Sequence, residues 1–193
     1  MNLYRTLSGA ALFCLTGVGL SSCLNAPNYP VEPSIDFKEV QVVHIPAANG
    51  LAASDELNFA LDFRDGDGDL GLSDDDIKVA PWNATTGGHN NRGYGLNYFI
   101  QPFLKNPVTG QFVKFVNPPP FGKVGEYDGR YLRLDVADAK PAPLKGELRY
   151  KLPLSLDGAI FAPGQVFRFE ISIMDRALHE SNKITTSEVK LGQ

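Results

Sequence analysis

Between Asp62 and Asp76 the chain gathers seven aspartates and a single arginine, Arg64. Asp65, Asp67 and Asp69 alternate with Gly66 and Gly68, and Asp74, Asp75 and Asp76 follow after Leu70-Gly71-Leu72-Ser73. Two carboxylates about 4 Å apart repel by roughly 1 kcal/mol in water and closer to 4 kcal/mol near a protein surface. A loop that gathers several of them needs a cation or must stay splayed in water. Alternating carboxylates, with glycines that let the backbone curl, suit a hard ion taking about six to eight oxygen ligands, and calcium is the expected one. The alternative is a solvated acidic turn in which Gly66 and Gly68 serve only the turn. Gly66-Asp67-Gly68-Asp69-Leu70-Gly71 also fits the G-x-G-x-x-G pattern of dinucleotide sites. That match is spurious, because the intervening aspartates repel a pyrophosphate and Leu72 to Pro81 opens no helix to receive one.

The loop resembles the Asp-rich calcium loops of EF-hands, dockerins and thrombospondin type 3 repeats. Asp65, Asp67 and Asp69 fall on positions 1, 3 and 5 of the twelve-residue loop, and Asp76 falls on position 12. Two positions depart from that pattern. Position 6 is Leu70 where glycine is expected, and position 12 is an aspartate where a bidentate glutamate is expected. No helical pattern flanks the loop. The expectation is therefore a strand-borne calcium loop, with Asp65, Asp67, Asp69 and Asp76 as its ligands.

A second polar loop, Met174-Asp175-Arg176-Ala177-Leu178-His179-Glu180-Ser181-Asn182, lies near the C-terminus. In an immunoglobulin-like sandwich the loop joining the last two strands lies at the same end as the loop after the second strand. Asp175 is then a cross-loop calcium ligand. The competing assignment pairs Asp175 with Arg176 and leaves Asn182 to cap a hairpin, and the sequence leaves both open.

Little points to catalysis. His44, His89 and His179 are far apart, and none neighbours a cysteine. His179-Glu180-Ser181-Asn182-Lys183 begins like the zinc-protease H-E-x-x-H and fails at Lys183. There is no G-x-S-x-G elbow. The expectation is a protein that is not an enzyme. A ligand-binding face is the other candidate, since Trp82, Asn91, Arg92 and Tyr94 stand among glycines in a stretch running to Phe99. Flat rings with amides and an arginine suit a glycan or a peptide. The competing assignment makes the aromatics core and the glycine-rich part a plain loop.

Strands must position these loops. Leu57, Phe59, Leu61 and Phe63 alternate with Glu56, Asn58, Ala60 and Asp62, the period-two pattern of a half-buried strand. Phe167, Phe169, Ile171 and Ile173 alternate in the same way with Arg168, Glu170, Ser172 and Met174. Further strands are expected at Ile35 to His44, Leu96 to Leu104, Gln111 to Val116, Arg130 to Leu134, Glu147 to Leu154 and Ile184 to Leu191. Asn106-Pro107-Val108-Thr109-Gly110 reads as a hairpin turn, and Pro118-Pro119-Pro120 as loop. No segment keeps a 3.6-residue period, and 14 prolines with 19 glycines further disfavour helices. The fold expected is all-β, an antiparallel immunoglobulin-like β-sandwich.

The N-terminus sets the location. Arg5 precedes an apolar or small run from Leu7 to Leu20, too short to span a bilayer comfortably, and Leu20-Ser21-Ser22-Cys23 follows. This ending resembles the bacterial lipobox, which implies a signal peptide over 1–22, cleavage before Cys23 and acylation of that cysteine, palmitate being one expected chain. Residues 23–34 read as the lipidated cysteine and a tether whose Pro27, Pro30 and Pro33 favour polyproline II. Residues 35–193 form the sandwich domain. Of the two cysteines, Cys14 leaves with the signal and Cys23 carries lipid, so no disulfide is expected in the domain. With 18 basic against 22 acidic residues there is no basic stripe for a nucleic-acid partner. Nor is there charge to hold anionic lipid, so the membrane partner is met through the acyl chains.

Phe63 to Gly71, together with Asp175-Arg176-Ala177 and Ser181 to Thr186, resembles a group of lipoproteins common in Bacteroidota genomes. The resemblance implies an anchored β-sandwich with a calcium-type loop in the bacterial cell envelope, at the outer membrane, with the face left open. It implies no particular activity. The resulting expectation is a membrane-anchored envelope lipoprotein whose calcium-stabilised sandwich is a binding or structural module. The alternatives are a glycan-binding accessory of nutrient uptake and, more remotely, an envelope hydrolase.

Overall fold

A computed structural model describes residues 27–84, 95–120, 122–123, 125–135 and 140–193. The described residues hold eight strands: β1 (Ser34–Ile45), β2 (Ser54–Asp65), β3 (Tyr98–Lys105), β4 (Phe112–Lys114), β5 (Leu144–Ser155), β6 (Val166–Ile173), β7 (Ile184–Thr185) and β8 (Val189–Lys190). One sheet has the order β1-β2-β5. The other has the order β4-β3-β6-β7, with β8 also pairing β6. Every pairing is antiparallel. The described residues are all-β, with one 3-10 turn among them at Asp76–Lys78. Among the described residues no helix is long and apolar enough to cross a membrane.

The period-two strands fold as their patterns require. Leu57, Phe59, Leu61 and Phe63 of β2 are buried, as are Phe167, Phe169, Ile171 and Ile173 of β6. The two sheets meet through these rows, and the Phe59 and Phe169 rings sit edge-to-face at 5.1 Å. Tyr98 and Ile100 of β3, Leu148, Leu152 and Leu154 of β5, and Ile35 complete the core. The β1–β2 hairpin closes on Asn49-Gly50, both at positive φ, the combination that a two-residue hairpin turn requires. The Asn106–Gly110 turn joins β3 to β4, with Gly110 N–H donating to the Asn106 carbonyl at 2.8 Å.

Two strand expectations need correction. Arg130 to Leu134 joins neither sheet. It runs along the aspartate loop instead, its Tyr131 carbonyl accepting from Leu72 N–H (3.1 Å) and its Leu134 N–H donating to the Leu70 carbonyl (3.2 Å). Ile184 to Leu191 is broken into β7 and β8. Between them the Thr186 hydroxyl takes the Phe169 amide (3.0 Å), so a side chain stands where a ladder bond would run.

The tether does not stand wholly apart from the domain. Pro33 is buried, and Tyr29 and Pro30 lie against Gly66. A methyl group built on Gly66 would overlap both of their carbonyl oxygens.

Candidate metal centre

Asp65 is the last residue of β2 and continues the inward row of Leu57, Phe59, Leu61 and Phe63. Asp175 stands two residues past Ile173 and continues the inward row of β6 in the same way. β2 and β6 face each other across the core, so the row that buries phenylalanines along each strand delivers one carboxylate at the same end of each. Both aspartates are fully buried. Asp69 is brought to them by the loop. Leu70 and Asp175 form a β-bridge, the Arg176 amide donates to the Asp69 carbonyl (3.3 Å), and the Ala177 amide donates to Asp69 Oδ2 (3.1 Å).

Asp65, Asp69 and Asp175 each present a carboxylate oxygen, and these oxygens all lie within 4.8 Å of one another. Neither oxygen of Asp65 has a hydrogen-bond partner at normal geometry among the described residues, and the same holds for Oδ1 of Asp67 and of Asp69. Buried polar atoms left in this way normally cost about 1–3 kcal/mol each, more when charged. Asp175 is partly served, with His179 N–H donating to Oδ1 and His179 Nδ1 lying against Oδ2, both at 2.8 Å. Arg176 offsets the group only in part, its charge lowering Asp69. Its guanidinium pairs with Asp135 at 2.9 Å, and Arg133 holds the same carboxylate at 2.7 Å. Asp135 is thereby kept well below the usual carboxylate range, by its hydrogen bond from Arg133 first.

The electrostatics follow from this crowding. Burial, then the charges of Asp67, Asp69 and Asp175, push the Asp65 carboxyl up to about 7, with only the Asp69 backbone amide opposing. Burial, then Asp175 and Asp67, push Asp69 up to about 6. Asp175 is raised by burial, against the hydrogen bonds from His179. These oxygens are hard, anionic and convergent, a donor set that suits calcium or a similar hard cation. Asp67 and Asp69, with Arg133, Asp135, Lys140 and Arg176, line a cleft beside the site.

A sign follows for the metal-free protein. Asp65 and Asp69 hold protons in the folded state at pH values where the unfolded chain, near its ordinary 3.8, has released them. Stability of the chelated protein therefore falls as pH rises from about 4 to 7. His179, raised by Asp175, pulls in the same direction at the upper end of that window. Urea titrations in chelator at pH 4.5 and 7.5 check this. Stability that rises across the interval contradicts the crowded site.

The remaining predicted residues are placed as follows. Asp67 stands beside the three-carboxylate group and raises Asp65, without joining the tight set. Asp76 is outside it. Asp76 Oδ2 accepts from the Ser73 amide (2.7 Å) and hydroxyl (2.8 Å), which closes a local turn and holds its carboxyl low. The carboxylate that meets Asp65 and Asp69 is instead that of Asp175, two residues past the end of β6. The Asp175–Arg176 pairing does not form, and Asn182 bonds the backbone of Ile35 rather than capping a hairpin.

Trp82 is a correction. It is 4% exposed and packs with Leu72, Phe99 and Met174 over the outer side of the β3–β6 pair, its indole N–H donating to the Arg176 carbonyl (3.2 Å). It braces the Asp175 loop and offers no face to a ligand. Asn91, Arg92 and Tyr94 of the proposed binding face, and Cys23, lie outside the described residues. Sequence reasoning missed Tyr131 and Asn97, which clasp each other through Asn97 Oδ1 and the Tyr131 amide (2.9 Å) and tie β3 to the segment under the loop. The only signal in the sequence was an asparagine, Asn97, inside the expected Leu96 to Leu104 strand.

Comparison with known proteins finds no family model, no curated protein and no solved structure that matches the chain.

Proposed function

We propose that the chain is a lipid-anchored bacterial envelope protein whose sandwich is pinned at one end by calcium and acts as a binding or structural module. The observation that carries the metal part is Asp65, wholly buried, with neither oxygen hydrogen-bonded at normal geometry and both near Asp69 and Asp175. A divalent ion turns this repulsion into coordination. The immunoglobulin-like type is supported by the strand order, β1-β2-β5 against β4-β3-β6-β7. This is the order in which the first, second and fifth strands of that fold oppose the third, sixth and last.

The anchor is supported by Arg5, the apolar run and Leu20-Ser21-Ser22-Cys23. Envelope location and the likeness to Bacteroidota lipoproteins rest on the same residues and on the two loops. Calcium fits that compartment, since extracellular modules bind it at about 0.1–1 mM. The glycan-accessory reading is the weaker one, because Trp82, the largest ring it called on, is core.

Cys23→Ala is expected to abolish acylation and to release the protein from membranes or leave its signal uncut. Cells fed a clickable fatty acid show this directly. Label retained on Cys23→Ala protein refutes the anchor.

A further inference from the structure

The segment between the anchor and β1 is held by the two loops that carry the carboxylates. On one side, the backbone of Tyr29 and Pro30 closes on Gly66, which stands between Asp65 and Asp67 and has room there only because it lacks a Cβ. On the other side, the Asn182 side chain bonds Ile35 twice, Oδ1 accepting the Ile35 amide (2.8 Å) and Nδ2 donating to its carbonyl (2.9 Å). Asn182 therefore acts as a one-residue edge strand, joining β1 of the first sheet to the β6–β7 connection that carries Asp175. Glu32 lies near enough to His179, the partner of Asp175, to raise its pKa. Pro33, between these holds, is buried.

We propose that cation occupancy governs the docking of residues 29–33, the stretch leading into β1, so that calcium sets how far the domain stands from its N-terminal anchor. This rests on the reading that the carboxylate site takes calcium. With the ion bound, the Asp65–Asp69 loop and the Asp175 loop are drawn together, and the stretch is gripped between Gly66 and the Asn182 contact at the start of β1. Without it, the carboxylates repel across the gap and the two grips separate. The carbonyl oxygens of Tyr29 and Pro30 then face an uncompensated negative loop, which adds to the release. Undocking frees some five residues, lengthening the tether by about 16 Å at roughly 3.3 Å per residue.

Hydrogen exchange on the full lipidated chain in detergent, with calcium chloride or with EGTA, tests this. The amide of Ile35, bonded to Asn182 Oδ1, reports on the grip, and those of Leu148 to Leu152 in β5 serve as the internal reference. EGTA is expected to speed exchange at Ile35 at least tenfold while the β5 amides change far less. Asn182→Ala is expected to expose the Ile35 amide in calcium and to keep the calcium-dependent rise in melting temperature, since it removes a grip and no carboxylate. If calcium raises the melting temperature but the Ile35 amide exchanges equally in calcium and EGTA, the docking proposal is overturned and the metal site stands. If neither the melting temperature nor exchange responds, both fall together.

Discussion

Phe169→Ala lowers the unfolding free energy by about 3–5 kcal/mol in a urea titration, the loss expected for deleting a buried phenylalanine whose site cannot collapse. Phe169 is fully buried at the middle of β6, meets Phe59 edge-to-face at 5.1 Å across the sheets and lies 6.2 Å from Phe167 along its own strand. Its backbone is fixed as well, the amide bonded to the Thr186 hydroxyl at 3.0 Å, so the strand has little freedom to close over the hole. The neighbouring Arg168→Ala is expected to cost clearly less, about 1–2 kcal/mol. That half-buried side chain lies over the Phe112 ring at 4.4 Å on the outer face, and a cation–π contact is worth about 0.5–1 kcal/mol when exposed and about 2 when desolvated. Equal losses for the two variants would refute the inward-outward register from which the metal site is built.

That register was readable in the sequence, and it carried the fold. Strict alternation over Leu57 to Phe63 and Phe167 to Ile173 located β2 and β6, because period two has one buried solution when a row of large apolar side chains must leave water. The same parity, carried one step further, points Asp65 and Asp175 inward. That is a stronger ground for uniting them than the spacing within the aspartate loop. Asp76 was assigned from spacing alone. A twelve-residue register holds where flanking helices fix both ends of the loop, and here Ser73 captures Asp76 locally instead. Trp82 was misread because its partners, Leu72, Phe99 and Met174, come from three separate stretches, and only the folded chain shows that they form a second small core. Arg130 to Leu134 has strand composition but pairs with the irregular loop at Leu70 and Leu72, a partner no periodicity announces. The proline spacing of residues 27–33 did not announce their contact with Gly66, which depends on a side chain being absent.

The central claim is that the end of the sandwich is a cation site, and a melting curve in calcium and in chelator tests it most directly. An ion that binds only the folded state adds RT ln(1 + [L]/Kd), about 2.7 kcal/mol at a hundredfold excess over the dissociation constant. For a domain of this size that corresponds to a rise of roughly 5–10 °C. Asp65→Asn keeps the shape of the side chain and removes one of the crowded charges. It is expected to melt higher than the parent protein in chelator and to gain little from calcium. Asp76→Asn, whose carboxylate serves Ser73, is expected to keep the calcium response. A parent protein that melts at the same temperature in calcium and in chelator, with Asp65→Asn no more stable than the parent in chelator, would contradict the site and return the aspartate loop to a solvated turn.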